Sequence, residues 1–377
     1  MAKSEFSATV NSALVEAALN ARAAFKWAQA SMYFGKGYQS EGTDSIITVK
    51  KNLKKQAGDT IRVRLRAPLT GAGQKDDDTL QGNEEALSYY TATATIHQRR
   101  HAVRVAGRMT EKRTKVPVRK DAREGLGDWL AQMMDTDTVL AISGLANAVG
   151  TLAASAPTTY RRWVGGQTAA GVLLATANDL DAELGTGSST KTYVDHLFGT
   201  LVIQLVKRMA ITPGSGYPKI RPIRYQGKDY YIMWIHPLQA KALKAETAWI
   251  ASQRSAGPRD MTNPLFSGSL GVFDGVVIKE WEKIELRVGD GVGTDPTTYF
   301  ESGDAATSSA EIICRALFCG AQAAIHAWGK EPGWDEERFD YGNEWGIATD
   351  LIWAAKKTVF NSEDFGVIAV DTCVATD

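Results

Sequence analysis

The pattern in this sequence that comes nearest to chemistry is a pair of histidines four residues apart, His97 and His101, a spacing that on a helix would turn both rings to one side and let them hold a metal. No Glu follows the first of them, and the surrounding stretch, TATATIHQRRHAVRV, alternates as a strand does, so two polar strand positions are expected instead. The run Asp76, Asp77 and Asp78 could hold a cation, but it lacks the alternating ligands and distal Glu of a calcium loop and reads as a solvated loop tip. Cys314 and Cys319 lie in an apolar run with no second Cys or His pair at zinc spacing, which makes them buried small hydrophobes. There is no GxSxG, no P-loop, no GxGxxG after a strand and no HExxH, and five scattered histidines nominate no catalytic triad. No catalytic residue, cofactor or metal site is expected.

Charge is patterned more strongly than chemistry. Arg99, Arg100, Arg104, Arg108, Lys112, Arg113, Lys115, Arg119, Lys120 and Arg123 form the main basic run. Three readings of it stay open. Planar guanidinium groups can pair bidentately with carboxylates of another chain, and Asp76 to Asp78, Glu84 and Glu85 are acidic patches that could receive them. Clustered positive charge can also meet nucleic-acid phosphates without reading sequence, or can simply form a solvated face. Lys plus Arg and Asp plus Glu both number 43, so any attraction to nucleic acid has to be local, and a dedicated DNA binder is not indicated.

The elements that would position these residues emerge from periodicity. A chain of 377 residues, 44% hydrophobic and 23% charged, is expected to be a folded protein of two or three lobes. Three cysteines clustered towards one end form no disulfide framework, which fits a reducing compartment, and neither a secretory leader nor a bilayer-spanning segment is expected. From Asn11 to Ala30 the positions Leu14, Ala18, Ala21, Phe25 and Ala28 keep helical spacing and predict an arm helix. Ile61, Val63 and Leu65 alternate with Arg62, Arg64 and Arg66 as a strand with one apolar and one basic face. The polar stretch Pro68 to Glu85 separates it from renewed alternation over Thr91 to Val105, and together these predict a long hairpin. Arms of roughly eight to fifteen residues reach roughly 30 to 50 Å, farther than a compact body needs, so the hairpin is expected to lie across another molecule, its own body offering too little surface to cover it. Ala122, Leu126, Trp129, Leu130, Met133 and Leu140 predict a long helix from Val118 to about Ile142, with Gly125 and Gly127 weakening its first half. Leu197, Leu201, Leu205 and Met209 predict a second helix, Tyr230 to Ile235 a buried strand, Pro237 the first turn of a further helix, and Val276 to Ile278, Ile312 to Ala324 and Gly366 to Val370 short strands. Trp129, Trp234, Trp249, Trp328 and Trp353 are expected in cores.

This order, together with several blocks of sequence, resembles a known family. The blocks are LQGNEEAL (Leu80 to Leu87), IHQRRHAVRVAGRM (Ile96 to Met109), WIHPLQAKALKAETAWI (Trp234 to Ile250), NPLFSGSLGVFDGVVIKE (Asn263 to Glu280), RALFCGAQAAIHAWG (Arg315 to Gly329) and DFGVIAVDT (Asp364 to Thr372). They resemble the major capsid proteins of tailed bacteriophages with the Hong Kong 97 (HK97-like) fold, and within these the family of the N-four-like podoviruses. The resemblance implies an α+β fold divided into an N-terminal arm (1–44), an extended loop with flanking peripheral strands (45–108), a peripheral spine helix (109–150), an axial domain (151–310) and a return to peripheral strands (311–377).

The same resemblance implies a function. The chain would assemble as hexamers and pentamers into an icosahedral virion shell around double-stranded DNA, made in the bacterial host cytoplasm with no membrane involved. Its partners would be other copies of itself, a separate scaffolding protein (no long fused segment precedes the arm), a portal protein, a decoration protein on some shells, and the packaged DNA by non-specific contact. The residues placed at subunit interfaces are Arg62, Arg64, Arg66, Asp76, Asp77, Asp78, Glu84, Glu85, Arg99, Arg100 and Arg104, while Lys112, Arg113, Lys115, Arg119 and Lys120 face either DNA or a neighbour. Crosslinking between chains is not carried over, because no lysine of the extended loop can be matched to it. Two rivals remain: a nanocompartment shell of the encapsulin kind, told apart by a cargo enzyme in the gene neighbourhood, and a monomeric hydrolase, told apart by size-exclusion chromatography.

Overall fold

The structure is a computed structural model, and it describes residues 32–374 apart from 36, 52–57, 67–68, 70–72, 77–78, 80, 82, 106, 114–117, 144–160, 165, 168–172, 175–196, 214–216, 226, 255–267, 285, 289–311 and 362. The arm helix expected over Asn11 to Ala30 lies outside the described residues.

Two sheets carry the body. The smaller has five strands in the order β1 (Gln39–Ser40), β2 (Ile47–Lys50), β15 (Ala324–Phe339), β16 (Glu344–Lys357) and β5 (His97–Val105). Its centre is the antiparallel ribbon β15–β16, with β2 added in parallel on one side and β5 antiparallel on the other. The larger has the order β11 (Gly271–Phe273), β12 (Val276–Glu280), β10 (Lys228–Ile235), β14 (Ile312–Cys319), β19 (Val367–Val374) and β6 (Arg162–Val164), with β13 (Leu286–Val288) and β9 (Ile223–Tyr225) attached at β14 and β10. Three two-stranded pairs complete the described strands: β3 (Thr60–Arg66) with β4 (Tyr89–Thr95), β7 (Gly166–Gln167) with β8 (Leu173–Leu174), and β17 (Val359–Phe360) with β18 (Glu363–Asp364). The chain after Ile312 therefore serves both sheets, entering the larger one, crossing to the smaller and returning.

Five α-helices lie among the described residues: α1 (Arg108–Arg113), α2 (Val118–Ser143), α3 (Thr200–Ile211), α4 (Pro237–Ala245) and α5 (Thr247–Arg254). At about 1.5 Å per residue α2 is a rod of about 39 Å, and its buried positions Ala122, Leu126, Leu130, Met134 and Ile142 run down one side. Helix α4 starts as its sequence predicts, with Pro237 in the first turn and His236 as N-cap, in a capping box with Gln239. Helix α3 is also where expected, but its stripe differs: Val202, Ile203, Val206 and Ala210 are buried, whereas Leu205 and Met209 only flank that core. Short and β-branched side chains, not the leucines, therefore face the core that this helix shares with the larger sheet.

Three further expectations change. The hairpin is shorter than predicted, because β3 pairs with β4 only as far as Thr95, and His97 to Val105 pairs instead with β16 in the five-stranded sheet. Its body does offer it a seat: Ile61, Ala92 and Ala94 are buried against Ile325, Ala327, Ala354, Phe360 and Phe365 of the same chain. Last, the short strands expected within Ile312 to Ala324 and at Gly366 to Val370 are present as β14 and β19, but between them lies the long ribbon β15–β16, in which the polar stretch GKEPGWDEERF continues β15 through register shifts around Lys330 that accommodate Pro332.

Candidate assembly interface

The finger β3–β4 has two distinct faces, because pairing sets Ile61 opposite Ala94, Val63 opposite Ala92 and Leu65 opposite Tyr90, and on the other face Arg62 opposite Thr93, Arg64 opposite Thr91 and Arg66 opposite Tyr89. Burial on the apolar face declines outward, from Ile61 and Ala94, which are buried, to Leu65 and Tyr90, which are half-buried. Arg62, Arg64 and Arg66 are all exposed. Beyond the last pair every described residue up to Tyr89 is exposed, including Leu69 at 59%, Leu87 at 53% and Tyr89 at 57%. Large apolar side chains held this far into water on a projecting segment are the composition of a contact surface. Asp76 sits in this segment with a left-handed backbone and Lys75 3.9 Å away, and Glu84 and Glu85 are exposed nearby. Asp77 and Asp78 lie outside the described residues.

The basic run is divided by strand alternation. Arg99 points to α2 and pairs with Asp137 at 3.1 Å, and the His101 ring packs on Trp129 with centroids 4.7 Å apart. On β5, Arg100 and Arg104 alternate with these; Arg100 is exposed, and Arg104 meets Glu344 at 2.5 Å and lies over the Phe339 ring. Two of the arginines placed at subunit interfaces by sequence are thus engaged within their own chain. Lys112 and Arg113 are exposed in the last turn of α1, where cations complement the helix dipole, and Lys120 reaches Glu124 at 3.9 Å. Lys115 lies outside the described residues, as does the side chain of Arg119.

Sequence reading missed the polar groups that lock α2 to the sheets, although Asp135, Asp137 and Thr138 interrupt an apolar helical stripe and were a legible signal. Asp135 accepts from the backbone N–H groups of Tyr33 and Phe34 at 2.8 and 3.1 Å, and burial still holds its carboxyl above the usual range. The Thr138 hydroxyl meets His326 Nε2 at 3.0 Å inside the core. At the C-terminal end of α2, the buried Arg315 reaches the Ser143 carbonyl at 3.3 Å while holding Asp371 with two bonds of 2.7 and 2.8 Å. Lys357 and Asp364 form a second buried pair at 2.8 Å, and Asp364 also accepts from the Arg161 N–H.

Two of these groups oppose each other in acid. Burial raises Asp137 to about 6 despite Arg99, so the folded chain holds this proton more tightly than the unfolded one, and the residue adds stability as pH falls from about 6 towards about 4. Burial lowers His326 to about 3, so its contribution is complete above about pH 6.5 and is lost as pH falls towards that value. Asp137→Asn removes only the first effect. The variant is expected to lose more stability than wild type between about pH 7 and about pH 4.5, and an equal fall in melting temperature for the two proteins would exclude the opposition.

Among the described residues no group of His, Cys, Asp and Glu could hold a metal ion, and no helix is long and apolar enough to cross a membrane. Cys314 and Cys319 are buried thiols outside any disulfide, with burial pushing the Cys319 thiol far up from its ordinary value.

Comparison with known proteins agrees with this geometry. A family model described as phage capsid protein matches residues 8–376. The major capsid protein of Pseudomonas phage KPP25 is 31% identical over 361 residues, which covers 87% of this chain and 88% of that protein. The capsid of Ralstonia phage GP4 superposes with a TM-score of 0.70 at 28% identity over 92% of each chain. The capsid asymmetric unit of cyanophage Pam1 shares the fold, with a TM-score of 0.65 at 23% identity over 91% of this chain and 92% of that one. The α+β architecture is accordingly the HK97-like capsid fold, and with a match running from residue 8 to residue 376 this chain belongs to the phage capsid protein family.

Proposed function

We propose that this chain is the shell-forming major capsid protein of a tailed phage, assembling as hexamers and pentamers into an icosahedral head that encloses double-stranded DNA. The observation that carries the reading is the finger, seated on its own body at the base and presenting an exposed arginine face and exposed leucines beyond it. A surface divided in this way is suited to lie across a sister subunit, where many modest contacts, each drawing about 25 cal/mol per Å² of apolar area, sum to a stable shell. Placement beside the N-four-like podoviruses rests on the sequence blocks between Leu80 and Thr372. Scaffolding, portal and decoration proteins, and packaged DNA met by Lys112, Arg113 and Lys120, are the further partners this reading supplies, with assembly in the host cytoplasm. Division into arm, extended loop, spine helix, axial lobe and returning strands is the domain assignment that goes with this reading, with the sheet of β15 and β16 as the peripheral lobe and that of β10, β12, β14 and β19 as the axial one, so that β14 and β19 of the segment 311–377 return to the axial sheet and not to the peripheral one.

Purified protein imaged by negative-stain electron microscopy tests the function directly: closed shells are expected, and a protein that stays monomeric under all assembly conditions would overturn it. Arg62→Glu, Arg64→Glu and Arg66→Glu together are expected to abolish shells while leaving the melting temperature within a few degrees, because all three side chains are exposed. Normal shells from that variant would remove the arginine face from the interface.

A further inference from the structure

The outer end of the ribbon β15–β16 closes through Asp340, Tyr341 and Gly342, whose φ angles are 47°, 50° and 82°. Tyr341 is fully exposed, at 108%. A bulky side chain in the left-handed region costs free energy, and here the ring is fully exposed, so none of the described residues buries it to offset that cost. The end that holds it is stiff: Phe339 packs on Gly346 beneath the Arg104 guanidinium, Arg338 lies 4.1 Å over the Trp345 ring, and the Asn343 N–H donates to the Asp340 carbonyl at 2.9 Å. Exposed Glu337 and Asp340 outnumber the exposed Arg338 and leave this tip with a small excess of negative charge.

At the other end of the same ribbon lies a groove of about 590 Å³ between the finger, the segment after α3 and the β17–β18 turn. Leu65, Tyr90, Tyr217, Pro218, Phe360 and Phe365 give it an apolar lining, and its exposed cations are Arg66, Lys219 and Arg221, the last paired with Asp44 at 3.3 Å, against one lining acid, Glu363. Groove and tip are separated by the length of β15, about 50 Å at roughly 3.3 Å per residue, so no subunit can fill its own groove with its own tip.

We infer that Tyr341 of one subunit docks in the groove of a second copy, with Glu337 and Asp340 meeting the basic rim. Such a contact joins unlike surfaces, and a heterologous contact closes into a ring or continues as an array instead of ending at a dimer. An aromatic side chain in an apolar pocket, ringed by charge pairs, is the usual composition of an energetic anchor. The inference rests on the reading of the chain as a shell subunit and adds a second contact to the one made by the finger.

Tyr341→Ala tests it, with the assembled fraction measured by sedimentation. Assembly is expected to fall at least tenfold while circular dichroism and melting stay unchanged, and Tyr341→Phe is expected to assemble as wild type does. A second variant, Tyr341→Cys with Asn361→Cys, the latter at an exposed residue that lines the groove, is expected to give a ladder of disulfide-linked subunits on a non-reducing gel after mild oxidation. Wild-type yields from Tyr341→Ala, or shells of the cysteine variant that stay unlinked, would overturn the docking while leaving the shell function standing. If the cysteine pair hinders assembly, the Tyr341→Ala result decides. Absence of shells from the wild-type protein would instead strike the function itself.

Discussion

Asp371→Asn is expected to destabilise the folded subunit by about 3–5 kcal/mol, the range for removing one partner of a buried ion pair. Both side chains are out of water, with Arg315 at 1% and Asp371 at 0% exposure, so the variant strands a guanidinium that has lost its counter-charge. The damage spreads because Arg315 and Asp371 face each other across the β14–β19 ladder, and Arg315 also holds the end of α2 through the Ser143 carbonyl. Replacing both, as Arg315→Met with Asp371→Leu, is expected to recover most of the loss, because the penalty comes from the unpaired charge and not from the absence of the pair. Denaturant midpoints of the three proteins check this, and a loss below about 1 kcal/mol for Asp371→Asn would show that water reaches the guanidinium.

Removal of Pro68 to Glu85 is expected to separate folding from assembly. Every described residue in that segment is exposed, and the contacts that seat the finger, Ile61, Ala92 and Ala94 on Phe360 and Phe365, stay in place. Stability is therefore expected to change by no more than about 1 kcal/mol, the scale of surface substitutions, plus a small gain from shortening a loop. Shell formation is expected to fall below detection in electron micrographs. Normal particles from the shortened protein would refute the role given to the finger, whereas an unfolded product would show that the segment supports its own subunit.

Much of the fold is legible in the sequence wherever one period dominates. The alternation of Ile61, Val63 and Leu65 with arginines can only be a two-faced strand, and the stripe through Leu126 and Leu130 can only be a helix on a sheet. Legibility fails where tertiary pairing overrides local preference. Residues 329–339 carry Gly, Pro and several charged side chains, which locally favour a loop; they form a strand because β16 provides a continuous partner and bulges near Lys330 absorb the proline. Likewise nothing within His97 to Val105 says whether it continues the finger or joins β16, since both partners offer the same ladder. The site residues divide along the same line. The arginine face of β3 is visible as a pattern, but the engagement of Arg99 by Asp137 and of Arg104 by Glu344 depends on residues 38 and 240 positions away. Tyr341 has no signal at all in sequence, because an exposed aromatic at a turn is distinguished only by the length of the ribbon beneath it.

The seating of the finger also bears on how the protein is made. Its strands leave the ribosome more than two hundred residues before the residues they rest on, from Ile325 to Phe365. Contacts of such long sequence separation form late in folding. A nascent chain thus carries a finger with no platform until Phe365 has been added, and only then can the finger be seated in the shape that engages its neighbours. On this order of synthesis, unfinished chains are expected to stay out of the growing lattice.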